Sequence, residues 1–469
     1  MLTRTFFLAL LATGLSMLPV TSQTPLIDVE NPNILILLAD DLGYADLSCY
    51  GSAHISTPVL DSIAEKGIRF TDFYAGSVVC SPSRAALLTG RNHNRTGVYT
   101  WIPENSPMHL PVNEITIAEI LKKTGYQTVH IGKWHLGQWK QDSNEHAGHT
   151  IHPSINEYGF DYWYACANNA LPSHKNPYNF YLNGTPLGEQ QGYSCQLAAD
   201  QAITWLEKQR KPDEPFYMQI WFNEPHEIVA APETFRKRHL DKGLTEHQAD
   251  YYGCIENMDQ AIGRVLRKLN DLGISRETLV IFTSDNGSRF PGSNGILKGK
   301  KGQVWEGGIR VPSIFYWKDT FVPDWNQDAP CGIIDLFPTL CELINQAAEN
   351  SLVIDGVSLM PLLNKKTFVR NKPLYTFHHH GAAASLRNGD MCLVGFLNEK
   401  SPGSSRFRQE HYAFMKRASL TTFELYNLKD DPSQTNDIAE QYPGIVEELK
   451  LSMIRLYDET ISEGVDWFQ

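Results

Sequence analysis

The sequence predicts a doubly wound α/β fold around a mixed sheet, followed by a smaller C-terminal α+β lobe with an antiparallel sheet. Three observations carry that prediction. Asn33 to Ala39 (NILILLA) is apolar at nearly every position, the pattern of a strand buried on both faces of a parallel sheet. Apolar runs of this kind then alternate with segments of helical periodicity, as βαβ units require. Beyond about residue 365 the texture changes to closely spaced short strands, so the expected division is residues 23–365 for the larger domain and 366–469 for the smaller.

In order along the chain, Thr57-Pro58 opens a helix as N-cap and first-turn proline, with Val59, Leu60, Ile63 and Ala64 on one face and Gly67 as the stop. Thr116 followed by Glu119 forms a capping box for Ile117 to Thr124, ended by Gly125. A strand from Tyr126 to Ile131 comes next, then a helix over Cys195 to Gln209 and a strand from Phe216 to Phe222. A long amphipathic helix, His247 to Leu272, precedes the strand Leu279 to Thr283. In the smaller region, strands are expected at Leu374 to His379, Met391 to Leu397 and Phe423 to Leu428, and a final helix at Tyr442 to Thr460. No internal repeat or low-complexity tract interrupts this order.

Composition bounds the function. In 469 residues, 41 Lys plus Arg face 53 Asp plus Glu, a net charge of −12, which disfavours a general nucleic-acid or anionic-membrane binder. An anionic substrate would therefore need a local cluster of cations. Arg4, the apolar run Phe6 to Leu18 and the small residues before position 23 make residues 1–22 read as a secretory signal peptide. Its removal takes away one arginine and leaves −13. The run is too short to span a bilayer, so the expected product is exported, periplasmic or secreted, without stable membrane insertion. The eight cysteines show no paired CxxC zinc spacing and are too few for a disulfide framework. One or two bridges at most are expected.

Two acidic pairs end strands. Asp40-Asp41 follows the first strand, and Asp285-Asn286 follows Leu279 to Thr283, at the strand ends where open α/β sheets bind ligands. These are hard oxygen donors suited to calcium or magnesium. Either pair alone reads more readily as a turn cap; together, at matching ends, they favour a metal. Cys80 opens Cys-Ser-Pro-Ser-Arg-Ala-Ala-Leu-Leu-Thr-Gly-Arg, in which Ser81 suits an N-cap, Pro82 a first helical position and Gly90 a C-cap. Cys80 would then stand at the positive end of a helix dipole, with Arg84 able to reach an anion held there. An isolated cysteine is more often a buried hydrophobe.

That twelve-residue string resembles the signature of formylglycine-dependent sulfatases of the alkaline-phosphatase superfamily, and the resemblance runs from about Asn31 to Asp437. It implies oxidation of Cys80 to Cα-formylglycine by a formylglycine-generating maturation enzyme, and one calcium ion held by Asp40, Asp41, Asp285, Asn286 and residue 80. Gly132-Lys133-Trp134-His135-Leu136-Gly137 resembles the second family signature; a continued strand pleat would put Lys133 and His135 on one face. Asn223-Glu224-Pro225-His226 and Lys301-Gly302-Gln303-Val304-Trp305-Glu306-Gly307-Gly308 match further family segments. Lys298 and Lys300 compete with Lys301, and spacing to the Trp305 segment favours Lys301. Taken singly, His135, His226 and Lys301 would more often be structural or solvated.

The chemistry the resemblance implies is coherent. A sulfate monoester repels anionic nucleophiles, so a site must neutralise it and supply a better attacker than water. One hydroxyl of the hydrated aldehyde attacks sulfur while Arg84, Lys133 and Lys301 balance charge, and His226 protonates the leaving oxygen. His135 then takes a proton from the second hydroxyl, and sulfate leaves as the aldehyde reforms. For substrate contacts, Asn168, His174, His378 and His379 join Lys133, His226 and Lys301 as candidates. The aromatics between Tyr158 and Tyr181 fit sugar stacking but read more readily as core. The layout is similar to exported bacterial polysaccharide sulfatases and N-acetylgalactosamine-6-sulfatase-like enzymes, which implies a sulfated glycan as partner. The alternatives are a phosphoesterase of the same superfamily and a noncatalytic glycan-binding relative.

Overall fold

The computed structural model describes residues 27, 29–138, 152–347, 352–403 and 406–469. The signal-peptide reading of residues 1–22 falls outside them. A ten-stranded mixed sheet forms the centre, and a four-stranded antiparallel sheet follows in the C-terminal part of the chain. Asn33–Ala39 lies in the middle of the large sheet, parallel to Phe216–Trp221 on one side and to Thr278–Ser284 on the other. Gln127–Lys133 continues the parallel run beyond Phe216–Trp221, whereas Ser313–Trp317 is antiparallel to Thr278–Ser284.

The continuous apolar pattern of the first strand has the expected cause. Ile34, Ile36 and Leu38 enter the core on one face of the sheet, and Leu35, Leu37 and Ala39 enter the core on the other. Because side chains alternate along a strand, a strand covered on both faces has no polar side to show. The first of these cores runs without a break into the second sheet, taking in Phe377, Leu386, Leu393, Leu425 and Met453.

Most expected elements fall within a residue or two of their places: helices at Pro58–Glu65, Ile117–Lys123, Ser194–Lys208, Glu246–Asp271 and Pro443–Glu463, and strands at Thr278–Ser284 and Met391–Leu397. Three details differ. Thr57 holds the N-cap position, but its hydroxyl turns to Asp61 Oδ1, and Lys66 rather than Gly67 closes that helix. The strand Ala383–Asn388 and the helix Gln409–Arg417 had no counterpart in the sequence reading. All eight cysteines are free thiols, seven of them buried, which lies within the bound of at most one or two bridges. No described helix is long and apolar enough to cross a membrane.

Candidate active site

The parallel register sets the site. Ala39 pairs with Ser284, so the chain leaves both strands side by side and delivers Asp40-Asp41 against Asp285-Asn286. Asp41, at φ +66°, turns back and donates its amide to Asp285 Oδ1 at 3.1 Å. Asn286 Nδ2 donates to Asp41 Oδ1 at 2.7 Å. All four side chains are buried.

Three cations meet these carboxylates. Arg84 is fully buried, with Nε and Nη2 on Asp285 Oδ2 at 3.0 and 2.6 Å and Nη1 on the Lys133 carbonyl at 2.9 Å. Its guanidinium lies 5.1 Å from the Trp221 ring centre. Lys133 Nζ donates to Asp40 Oδ2 at 2.7 Å and to Asn169 Oδ1 at 3.0 Å. Lys301 Nζ grips both oxygens of Asp41, at 2.6 and 2.7 Å. Three carboxylates therefore sit with three fixed cations in a region shielded from water, where an unmatched charge would be costly.

The electrostatics follow. Burial raises the Asp40 and Asp41 carboxyls, but Lys133 acting on the first and Lys301 on the second, with His226 aiding both, hold them below the usual range. Asp285 is pushed up to about 7 by burial and by the Asp40 charge, against the pull of Arg84. Asp41 more than offsets the burial of Lys301 and strengthens its hold on the proton. Burial outweighs the nearby Lys133 and Lys301 and raises the Cys80 thiol, which therefore stays protonated.

Cys80 enters the site at the start of the helix Cys80–Thr89. Val79 holds the N-cap position; Ser81 Oγ accepts from the Ile102 amide instead, so Ser81 is not the cap and the helix begins two residues earlier than its sequence suggests. Gly90 closes the helix at φ +65°, as expected. Lys301 is held near by its loop: Lys301 N donates to the Ser288 carbonyl and Gly302 N to the Val78 carbonyl. Lys298 lies 3.6 Å over the Trp305 ring and Lys300 is exposed, whereas Lys301 meets Asp41.

Lys133 and His135 do not share a face through a continued pleat. The strand ends at Lys133, and His135 has φ +57°. Gly132 prepares this bend at φ +103°; a Cβ there would stand 1.9 Å from the Trp221 carbonyl oxygen, so only glycine fits. The bend still returns His135 to the cluster, where burial and the charges of Lys133 and Arg84 lower its pKa well below the usual value. His135 Nε2 donates to the Ile102 carbonyl at 3.2 Å, and its buried Nδ1 has no partner. His226 Nδ1 donates to the Glu227 carbonyl at 2.6 Å, leaving Nε2 toward Asp41 Oδ2 at 3.6 Å. Burial lowers its pKa to about 4 despite that carboxylate.

The remaining candidates lie elsewhere. Asn168 contributes its backbone carbonyl to Cys166 and Asn223, and its neighbour Asn169 reaches Lys133. His174 is buried with Nδ1 3.9 Å from Glu224 Oε1. His378 is buried against the Gly302 backbone, and His379 against Phe407 and His411. Those three rings are too buried to stack on or read a sugar. Tyr158, Phe160, Tyr164 and Phe180 are core, as expected, and Tyr178 is exposed. Asn169 and Trp221 had no sequence motif of their own; only the end of a neighbouring strand brings each to the cluster.

A calcium-type ion fits this donor set. Asp40 Oδ1 and Asn286 Oδ1 are buried oxygens without a hydrogen-bond partner, beside the carboxylates of Asp41 and Asp285. Carboxylate and amide oxygens together are what a hard divalent cation requires.

The family model described as Sulfatase matches residues 32–346. Steryl-sulfatase of Homo sapiens is 28% identical over 506 residues, covering 87% of this chain and 84% of the relative. N-acetylgalactosamine-6-sulfatase of Canis lupus familiaris is 33% identical over 368 residues, covering 71% and 66%. Among solved structures, Ps i-CgsB in complex with k-i-k-neocarrahexaose superposes with a TM-score of 0.77 at 25% identity, covering 93% of this chain and 94% of that one.

Proposed function

The chain belongs to the sulfatase family and is a sulfuric ester hydrolase, and we propose that it is exported and releases sulfate from a sulfated polysaccharide or oligosaccharide using formylglycine made from Cys80. The observation that carries this reading is the charge balance around residue 80. Three carboxylates and three cations cancel, so a divalent ion held by Asp40, Asp41, Asp285 and Asn286 would leave the site positive by two, ready for an anionic ester. Glycan rather than steroid is favoured by the fold relative solved with a neocarrahexaose and by the N-acetylgalactosamine-6-sulfatase likeness.

A hydrated aldehyde at residue 80 would supply the nucleophilic hydroxyl, and a divalent ion held by Asp40, Asp41, Asp285 and Asn286 would supply the polarising charge. The chain's own residues do the rest. Lys133 and Lys301, now on Asp40 and Asp41, stand ready to share their charge with the sulfate oxygens of a bound ester. Arg84, with its fork spent on Asp285 and Lys133, orients a metal ligand as well as facing the anion. His226, anchored through Nδ1, presents Nε2 to the leaving oxygen; the negative charge of a bound ester favours its protonated form. His135 keeps the proton on Nε2 and offers the unpartnered Nδ1 as the base.

The mass of the tryptic peptide Phe70 to Arg84, from protein made in a host with the maturation enzyme, tests the modification. An aldehyde in place of the thiol is expected. Sulfate release from a panel of sulfated oligosaccharides, run beside matched phosphate esters, tests the substrate; a strong phosphate preference, or binding without release, would overturn the reading.

A further inference from the structure

A second cluster of ligating side chains stands at the edge of the small sheet. His379 and His380 lie where the strand Leu374–His378 ends, and His411 is on the first turn of the helix Gln409–Arg417. One ring nitrogen from each lies within 4.8 Å of the others, and the ring centres are 4.3, 5.2 and 5.8 Å apart. His379 is 1% exposed, yet neither of its ring nitrogens has a hydrogen-bond partner. A buried polar pair left unpaired costs stability, and a structure tolerates it where the group has a further task.

We propose that His379, His380 and His411 form a second metal site, for a divalent transition ion of the zinc type. The donor chemistry differs from that of the carboxylate cluster: three imidazole nitrogens suit zinc, copper or nickel, whereas Asp40, Asp41, Asp285 and Asn286 are oxygen donors that suit calcium. Three nitrogens around a tetrahedral zinc at about 2.0–2.1 Å stand roughly 3.4 Å apart, so small ring rotations close the observed spacing. His380 is partly exposed, so water can reach the fourth position. His411 is already oriented: the Arg408 amide donates to its Nδ1 at 3.1 Å, and its Nε2 stands 3.2 Å from the Pro402 carbonyl. Nδ1 is the unprotonated nitrogen and takes the ion once it gives up the Arg408 amide, while Nε2–H keeps donating to the Pro402 carbonyl and fixes the ring, as a ligand's outer hydrogen bond does. The ion would staple a strand end to a helix more than 30 residues further along the chain.

Isothermal titration of the full chain, saturated with calcium, with zinc chloride tests this, and cobalt(II) absorption reports geometry. One zinc per chain and the intense visible bands of tetrahedral cobalt are expected, with a higher Tm in zinc. His380→Ala, at the most accessible of the three positions, should weaken binding at least tenfold, and His411→Gln should do the same. Asp41→Asn should leave zinc binding unchanged. The proposal is overturned if the wild-type chain takes up no zinc beyond the calcium site, if Asp41→Asn removes the binding, or if His411→Gln leaves it intact, since the His378–His380 run alone would then be the binder. Circular dichroism of each variant separates loss of a ligand from loss of fold.

Discussion

At the strand ends, Asp40, Asp41 and Asp285 are buried with Arg84, Lys133 and Lys301; near the second sheet, His93, His378 and His379 are buried with one another. Each carboxylate of the first group touches a cation, so charge survives without water. In the second group the charges acting on each ring are those of other imidazoles and of Arg289, all of one sign, and burial drives the rings neutral. One region keeps its charge by pairing and the other gives its charge up. The first is therefore suited to anion chemistry, and the second is sensitive to acid.

The largest expected effect falls in the first region. Cys80→Ala should abolish sulfate release while leaving circular dichroism and Tm close to wild type, because a methyl group replaces a small buried thiol. Sulfate release retained by Cys80→Ala would show that the charged cluster acts without residue 80. Next, Lys301→Ala should lower kcat by roughly 10²–10³, the range for removing one preorganised charge-stabilising group. Arg84→Ala should instead reduce stability by about 3–5 kcal/mol, since Asp285 would be left buried and unpaired. Denaturant unfolding compared with steady-state rates separates the two. Arg84→Lys should not rescue, because a single ammonium cannot reproduce the contacts made by Nε, Nη1 and Nη2.

The histidine region supplies the pH prediction. Burial lowers His93 to about 4, and His152, buried and stacked on His109, also to about 4. The unfolded chain binds these protons near pH 6.5, so between pH 6.5 and 4 it holds more protons than the folded one. Stability from these rings is complete above pH 6.5 and is lost as pH falls through that window. For fully buried His93 the loss is up to roughly 3 kcal/mol. Urea unfolding midpoints between pH 8 and 4.5 check it, with His93→Gln flattening the slope; an unchanged slope would mean the seam does not control acid lability.

How far these regions were legible in the sequence differs for a physical reason. Strand periodicity, capping boxes and the Cys80 string are local, and they located the helices, the central strands and the carboxylate pairs. The bend after Gly132 was not legible, because the constraint is the Trp221 carbonyl, about 90 residues away in the chain. Ser81 was misread as a cap because its competing partner, the Ile102 amide, is likewise distant. The histidine run was visible as three letters, but its neighbours His93, Phe407 and His411 come from other segments. Asn169 reaches Lys133 only because Tyr162–Cys166 pairs with Gln127–Lys133.

The smallest effect comes from a site belonging to neither region, and it sharpens the contrast as a control. Thr116 caps the helix Ile117–Lys123: its hydroxyl accepts from the Glu119 amide at 3.2 Å and donates to the Tyr158 carbonyl at 2.8 Å, while Glu119 Oε2 accepts from the Thr116 amide at 2.9 Å. Thr116→Ala should cost about 1 kcal/mol, the usual loss for a cap, and Thr116→Ser should recover most of it. Neither change alters a charge. Urea unfolding of Thr116→Ala should therefore shift downward by the same amount at pH 7.5 and pH 5, with sulfate release unchanged. A shift that grew with acid would mean that any lost stability exposes the histidines, and the pH dependence could not then be assigned to their burial.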